Sequence, residues 1–328
     1  MNQFGRFFKV TIYGESHGTE VGIIIDGCPP GIGLSESSFF EDLKRRKPGA
    51  KGTTPRIEED APIITSGVFN GFTTGAPIMI RFENNNKRSE FYEKQRDIPR
   101  PGHADFTANA KFKGFEDYRG GGHFSGRLTV GLVAAGVIAK KVLNTRLTKD
   151  IIFQTDIIEV GGFPDIEKGL EFAIHAKDSI GGIVECCISG IPAGIGEPFF
   201  DSVESAIAHI IFAIPAIKGI EFGAGFKAAR MKGSEHNDPI INSSGKTQTN
   251  HAGGINGGIS NGNDIVFRVA VKPTSSTPHQ QRSFNMATNL METFSYKGRH
   301  DLCIALRVPV ILEAAAAIAL ADLTLVSN

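Results

Sequence analysis

The stretch Asn250-His251-Ala252-Gly253-Gly254-Ile255-Asn256-Gly257-Gly258-Ile259-Ser260-Asn261-Gly262 constrains this chain more than any other. Glycine has no Cβ and tolerates positive φ, so such a run lets backbone approach an anion, a flat ring or other backbone where side chains would collide. The following residues 264–271 (DIVFRVAV) alternate as a half-buried strand does. That strand carries the glycine run at one end and Lys272-Pro273-Thr274-Ser275-Ser276 at the other. A plainer reading of the run is a long, tight β-hairpin. The two readings differ in what fills the space left by the missing side chains.

The rest of the chain supplies strands, helices and polar loops in alternation. Residues 7–26 predict two strands joined by Gly14-Glu15-Ser16-His17-Gly18, and 36–46 a helix begun by Ser35 and ended by Pro48-Gly49, with Arg45 and Arg46 in its last turn. Strands follow at 63–69 and 77–82 around a glycine turn. Arg100-Pro101-Gly102-His103-Ala104-Asp105 reads as a rigid loop. Asp117-Tyr118-Arg119-Gly120-Gly121-Gly122-His123-Phe124-Ser125-Gly126-Arg127 empties into an amphipathic segment, 125–143. A glycine loop feeding a helix start is a ready anion or cofactor site. Further on, strands are predicted at 151–160 and 182–189, helices at 165–177 (capped by Asp165) and 201–212, and a last helix that Pro309 starts. His175 and His209 fall inside helices and read as structural or surface residues. The pattern is α+β, one domain over 1–328 that mixes antiparallel strands with helices.

Charge narrows the chemistry. In 328 residues, 35 basic side chains balance 35 acidic ones, so the whole molecule has no field to draw nucleic acid or an anionic membrane. Any anion site is therefore local. Cys28, Cys186, Cys187 and Cys303 lack CxxC or framework spacing, which fits a reducing compartment. No signal-type segment opens the chain and no apolar run approaches the ~20 residues of a bilayer span, so a soluble cytoplasmic protein is expected.

His17, His103, His123, His236, His251 and His300 all lie within three residues of a glycine. Imidazoles on glycine loops, with an unperturbed pKa near ~6.5, suit acid–base work on a bound ligand. HExxH, His-x-His and finger spacings are absent from the sequence, which disfavours a metal site. Arg45, Arg46, Arg56, Arg88, Arg100, Arg119, Arg127 and Arg299 fall in or beside the same loops, and guanidinium forks match phosphate and carboxylate. In a neutral protein that concentration points to a small polyanion. Asp301, beside Arg299 and His300, is a candidate base or a simple ion-pair partner.

These motifs resemble one family. GESHG at 14–18, RRKPG at 45–49, RPGHADFT at 100–107, DYRGGG with a following S-x-R at 117–127, HAGGINGGISNG at 251–262, KPTSS at 272–276 and GRHD at 298–301 are similar to those of chorismate synthase, in the same order and over nearly the whole chain. The resemblance implies helices sandwiched between antiparallel sheets, a homotetramer, and a lyase that converts 5-enolpyruvylshikimate 3-phosphate to chorismate. It implies reduced FMN as cofactor, with NADPH as an indirect source of electrons through an external reductase. By motif, His17 resembles the residue that protonates reduced flavin, His103 the general acid for the departing phosphate, and Asp301 the residue that assists removal of the ring proton. His123, Phe124, Ser125, Ala216, Gly257, Lys272, Pro273, Thr274, Ser275, Ser276 and Arg299 correspond to flavin contacts, and Arg45, Arg46 and Arg127 to substrate contacts. The rival readings are a flavin or nucleotide binder with a degenerate site, and a metal-dependent sugar phosphatase.

Overall fold

A computed structural model describes residues 2–49, 51–54, 59–85, 90–93, 96–147, 149–295 and 300–326. Strands β1 (Gln3–Phe4), β2 (Lys9–Gly14), β3 (Glu20–Asp26), β4 (Ile63–Ser66) and β7 (Ile78–Glu83) form one antiparallel sheet in the order β1-β2-β3-β7-β4, beside a small hairpin of β5 (Val68–Phe69) and β6 (Phe72–Thr73). Strands β8 (Ile152–Val160), β9 (Gly182–Ser189), β10 (Ile217–Phe222) and β13 (Ile265–Val271) form a second, in the order β10-β13-β9-β8. Two-residue strands β11 (Ile255–Asn256) and β12 (Ile259–Ser260) make a hairpin, as do β14 (Gln280–Asn285) and β15 (Leu290–Ser295).

The helices are α1 (Phe40–Arg46), α2 (Glu90–Glu93), α3 (Asp105–Phe112), α4 (Thr129–Arg146), α5 (Ile166–Ala176), α6 (Val203–Ile211), α7 (Gly233–His236) and α8 (Pro309–Val326). Helix α4 packs on β3 and β7, α8 packs on β8 and β9, and α4 and α8 pack on each other. The result is the expected α+β sandwich, with helices filling the space between antiparallel sheets. Its strands read correctly because each buries one face: Ile78, Ile80 and Phe82 alternate inward on β7, and Ile265, Phe267, Val269 and Val271 on β13.

Helix α4 differs from expectation. Instead of an amphipathic face, 129–139 is buried all round, because the helix has a sheet on one side and α8 on the other. Small residues make that possible: a Cβ on Gly136 would stand 2.3 Å from the Cβ of Ala314, so the helices meet nearly backbone to backbone. Contrary to the sequence reading, two helical segments, 126–146 and 309–326, meet the length and composition of a membrane span. They are 78% and 83% buried inside the fold, which marks them as core helices.

Helix α8 also carries Asp322, whose carboxylate accepts the backbone N–H groups of Arg6 (2.9 Å), Phe7 (2.6 Å) and Phe8 (2.8 Å). The segment entering β2 is thereby tied to the helix farthest along the described chain. Buried Glu313, one face away, accepts from Arg45, Lys140 and Thr155.

Candidate active site

The loop after Tyr118 turns through three left-handed glycines, Gly120 (φ 60°), Gly121 (φ 82°) and Gly122 (φ 51°). A Cβ on Gly120 would lie 2.1 Å from Cε1 of His17, and one on Gly121 3.3 Å from Cε1 of His103. The missing side chains make room for two imidazoles. The β2–β3 loop holds His17 there: Ser16 N–H donates to Gly122 O (3.1 Å), Ser16 Oγ reaches Gly120 O (3.0 Å), and His17 Nδ1 is 3.2 Å from Ser16 Oγ. Tyr92 meets the His17 ring edge-on at 5.2 Å. His123 Nδ1 donates to Gly14 O (2.8 Å), so the glycine loop and the GESHG loop are pinned together at both ends.

His103 is oriented by its neighbours. Its Nδ1 lies 2.6 Å from Asp105 Oδ1, which assigns the proton to Nδ1 and leaves Nε2 for a ligand. Arg100 sits against the same carboxylate through Nε (2.7 Å) and Nη2 (2.7 Å). Burial alone would raise the Asp105 pKa, but the hydrogen bonds from Arg100 and His103 outweigh it and hold the carboxyl far below the usual range. The Lys272–Ser276 turn closes on this loop: Lys272 Nζ (2.8 Å) and Ser275 Oγ (2.7 Å) both donate to Gly102 O. Burial, with Lys218 adding to it, lowers the Lys272 pKa.

Asp301 is 9% exposed and accepts from Thr54 N–H (2.9 Å) and Arg307 Nη1 (3.3 Å). Arg307 Nε also donates to Arg46 O (3.1 Å), which joins Asp301 to the end of α1. His300 is pushed down to about 4, first by burial and then by the charge of Arg100. It is a neutral imidazole at pH 7.

A cavity of about 890 Å³ is lined by His17, Arg46, His103, His123, Phe124, Ser125, Arg127, Ala216, Lys272, Pro273, Thr274, Ser275, Ser276 and Asp301. Its size lies within the roughly 300–1,000 Å³ of small-molecule sites. Two anticipated residues, Arg45 and Gly257, are not among its described lining. Arg45 turns away because consecutive helix residues point about 100° apart; its guanidinium pairs with Glu313 (2.5 Å), while Arg46 faces the cavity. Gly257 lies in the β11–β12 turn, outside the cavity lining. Arg299, like Arg56 and Arg88, lies outside the described residues.

The structure also adds residues that the motifs did not single out. Asp60 is buried between Arg46 and Arg127, Arg307 and Tyr92 border the cavity, and so does His209, expected to be structural or superficial and stacked edge-on to Phe4 at 5.3 Å. None of them sits in a glycine loop. Only the arginine excess hinted that a buried counter-charge was needed.

Comparison with known proteins shows which family the chain belongs to. The family model for chorismate synthase matches residues 8–325. The chain belongs to the chorismate synthase family. A chorismate synthase of Chitinophaga pinensis is 68% identical over 328 residues, covering 100% of this chain and 98% of the relative. One from Pyrococcus abyssi is 43% identical over 342 residues, covering 97% and 96%. A crystal structure of chorismate synthase superposes with a TM-score of 0.72 at 26% identity, covering 98% of this chain and 92% of that one. As a member of the chorismate synthase family the protein is a lyase of the shikimate pathway, which leads to the aromatic amino acids.

Proposed function

We propose that the protein, as one domain over 1–328, catalyses the anti 1,4-elimination of phosphate from 5-enolpyruvylshikimate 3-phosphate to give chorismate, with reduced FMN and no net redox change. The observation that supports this reading is the convergence of His17, His103, Asp301, Arg46 and Arg127 on one cavity. The substrate carries one phosphate and two carboxylates, and the cavity wall carries guanidinium groups suited to both.

The residues present fit a flavin. His17 and His103, seated in the space that Gly120 and Gly121 leave, bring two imidazoles to the cavity wall where acid–base chemistry on a flavin would need them. Thr274 Oγ1, in the turn that borders the cavity, is buried without a hydrogen-bond partner among the described residues. That turn, with His123, Phe124, Ser125 and Ala216, would hold the ring system. Held there, reduced FMN would supply the electron-rich ring that weakens the bond to phosphate with no net redox change.

His17, seated against Gly120, holds a proton at the cavity wall. His103, fixed through Nδ1–H by Asp105, acts in its imidazolium form as general acid, giving the Nε2 proton to the departing phosphate and remaining as the neutral Nδ1–H imidazole. Asp301, kept in place by Thr54 N–H and Arg307, is the carboxylate that assists departure of the ring proton. Arg46 and Arg127 orient the anionic substituents.

The active form in this reading is a cytoplasmic homotetramer that takes its electrons from an external flavin reductase, with NADPH as the indirect donor. Anaerobic phosphate release from 5-enolpyruvylshikimate 3-phosphate tests it. Turnover is expected with chemically reduced FMN, and little with oxidised FMN plus NADPH. Release that is indifferent to flavin would sink the reading.

A further inference from the structure

Arg46 ends α1 and Arg127 precedes α4, and between them the described chain forms strands, a hairpin, the short helices α2 and α3, and loops. What joins them is a residue that belongs to no glycine loop. Asp60 Oδ2 accepts from Arg46 Nη2 at 2.6 Å, and Asp60 Oδ1 accepts from Arg127 Nη1. The three side chains are almost sealed from solvent: Asp60 at 0%, Arg46 at 1% and Arg127 at 4% exposed. Burial alone would raise the Asp60 pKa, but the charges of Arg46 and then Arg127 outweigh it and hold the group ionised. Both arginines line the cavity, whereas Asp60 does not, so the carboxylate stands behind them.

We infer that Asp60 is a positioning residue that yokes Arg46 and Arg127 into a single anion-binding wall of one net positive charge. The inference rests on the reading of this cavity as the seat of an anionic substrate. Two buried guanidinium groups without a counter-ion repel each other and carry a heavy desolvation cost, and would turn away from their shared wall. One carboxylate between them removes the repulsion and, by taking one Nη from each, fixes both planes. Guanidinium recognition of phosphate and carboxylate depends on that planar geometry. Arg127 is held further by Asn84 Oδ1 (3.0 Å) and Glu83 O (3.1 Å), so its orientation is set from behind on several sides. Asp60 itself adopts a left-handed backbone, φ 48°, a conformation that asparagine and aspartate tolerate best and that persists where surroundings over-determine it.

The test is anaerobic steady-state kinetics with reduced FMN, together with calorimetric titration of 5-enolpyruvylshikimate 3-phosphate into enzyme with oxidised FMN. Asp60→Asn keeps the shape, loses the charge and puts a donor against an arginine. It is expected to raise KM and the calorimetric Kd roughly 10- to 100-fold, the scale of a lost charge-assisted hydrogen bond, while kcat stays within about threefold. Asp60→Glu, which restores the charge, should recover part of the affinity. Folded Asp60→Asn with parental KM and Kd would overturn the inference, as would a collapse of kcat at unchanged KM. If Asp60→Asn does not fold, Asp60→Glu decides alone: a carboxylate displaced by one methylene should still raise KM at retained kcat, and parental KM would overturn the idea. Arg46→Lys and Arg127→Lys run in parallel separate the two levels. Should they leave KM unchanged, the anionic seat itself is misassigned; should they raise it while Asp60→Asn does not, the inference about Asp60 alone fails.

Discussion

Two glycine-rich loops of this protein look alike in sequence and do opposite things. In the loop at 120–122, the space left by the missing β-carbons of Gly120 and Gly121 is taken by the imidazoles of His17 and His103, while Gly122 closes on the carbonyl of Asp117. In the loop at 250–262, the space at Gly253 and Gly254 is filled by the protein's own backbone. A Cβ on Gly254 would stand 2.4 Å from Asp264 O, and one on Gly253 2.5 Å from Gly223 N. The second loop is stitched from within, Asp238 accepting from His251 N–H (2.8 Å) and Ala252 N–H (2.9 Å), and Asn250 Oδ1 from Gly254 N–H (2.8 Å). Its two-residue strands β11 and β12 make it the plain hairpin. Glycine density therefore marks close approach, and the identity of the approaching group decides whether chemistry follows.

The contrast can be broken by substitution, and the largest effect belongs to the first loop. Gly120→Ala drives a methyl group into His17 at a positive φ, so turnover should fall about 10²-fold or more, as for His17→Ala and His103→Ala, with the fold retained by circular dichroism. Near-parental turnover in Gly120→Ala would remove the distinction. Gly254→Ala should do the reverse: a loss of roughly 1–3 kcal/mol in chemical denaturation, with kcat per folded molecule unchanged.

A pH titration sharpens the first loop's side further. His300, which borders the same cavity, has a folded pKa of about 4 against about 6.5 unfolded. As the pH falls the unfolded chain takes up this proton first. The stability contributed by neutral His300 is thus full above pH ~6.5 and is lost as pH falls to about 4. The gap in denaturation midpoint between parent and His300→Gln should hold constant above that window and shrink across it; a constant gap down to pH 4 would contradict the assignment.

The smallest effect is expected at Gly257, where φ is 61° and an added Cβ meets none of the described residues within 4 Å. Gly257→Ala should cost about 1 kcal/mol and leave FMN affinity within about twofold, read by flavin fluorescence. A marked loss of affinity would instead bring the hairpin into a site completed by another subunit, and the two loops would no longer be opposites.

How much of this was legible beforehand follows from the range of each interaction. Strands β8, β9 and β13 showed themselves because alternation is local, and α5 because Asp165 caps it through Lys168 N–H at 3.2 Å. Helix α4 misled because its second apolar face exists only once α8 has docked. The choice between Arg45 and Arg46 needed the helix phase and the position of Glu313, 268 residues away from Arg45. Asp60 and Arg307 were silent for the same reason: each looks like an ordinary charge until its distant partner is placed beside it. The motif residues were readable as a set, yet their convergence on one cavity was a property of the fold.

Asp322 makes one edge of the sandwich depend on a residue more than 300 positions away. Three amides near the amino end find their acceptor on α8, which also fills the centre of the core. While the ribosome is still making that helix, residues 6–8 have no counterpart for those hydrogen bonds and α4 presents a bare apolar flank. Until that helix is made and docked, the apolar flank of α4 that it covers stays open, an exposure that favours aggregation and chaperone binding.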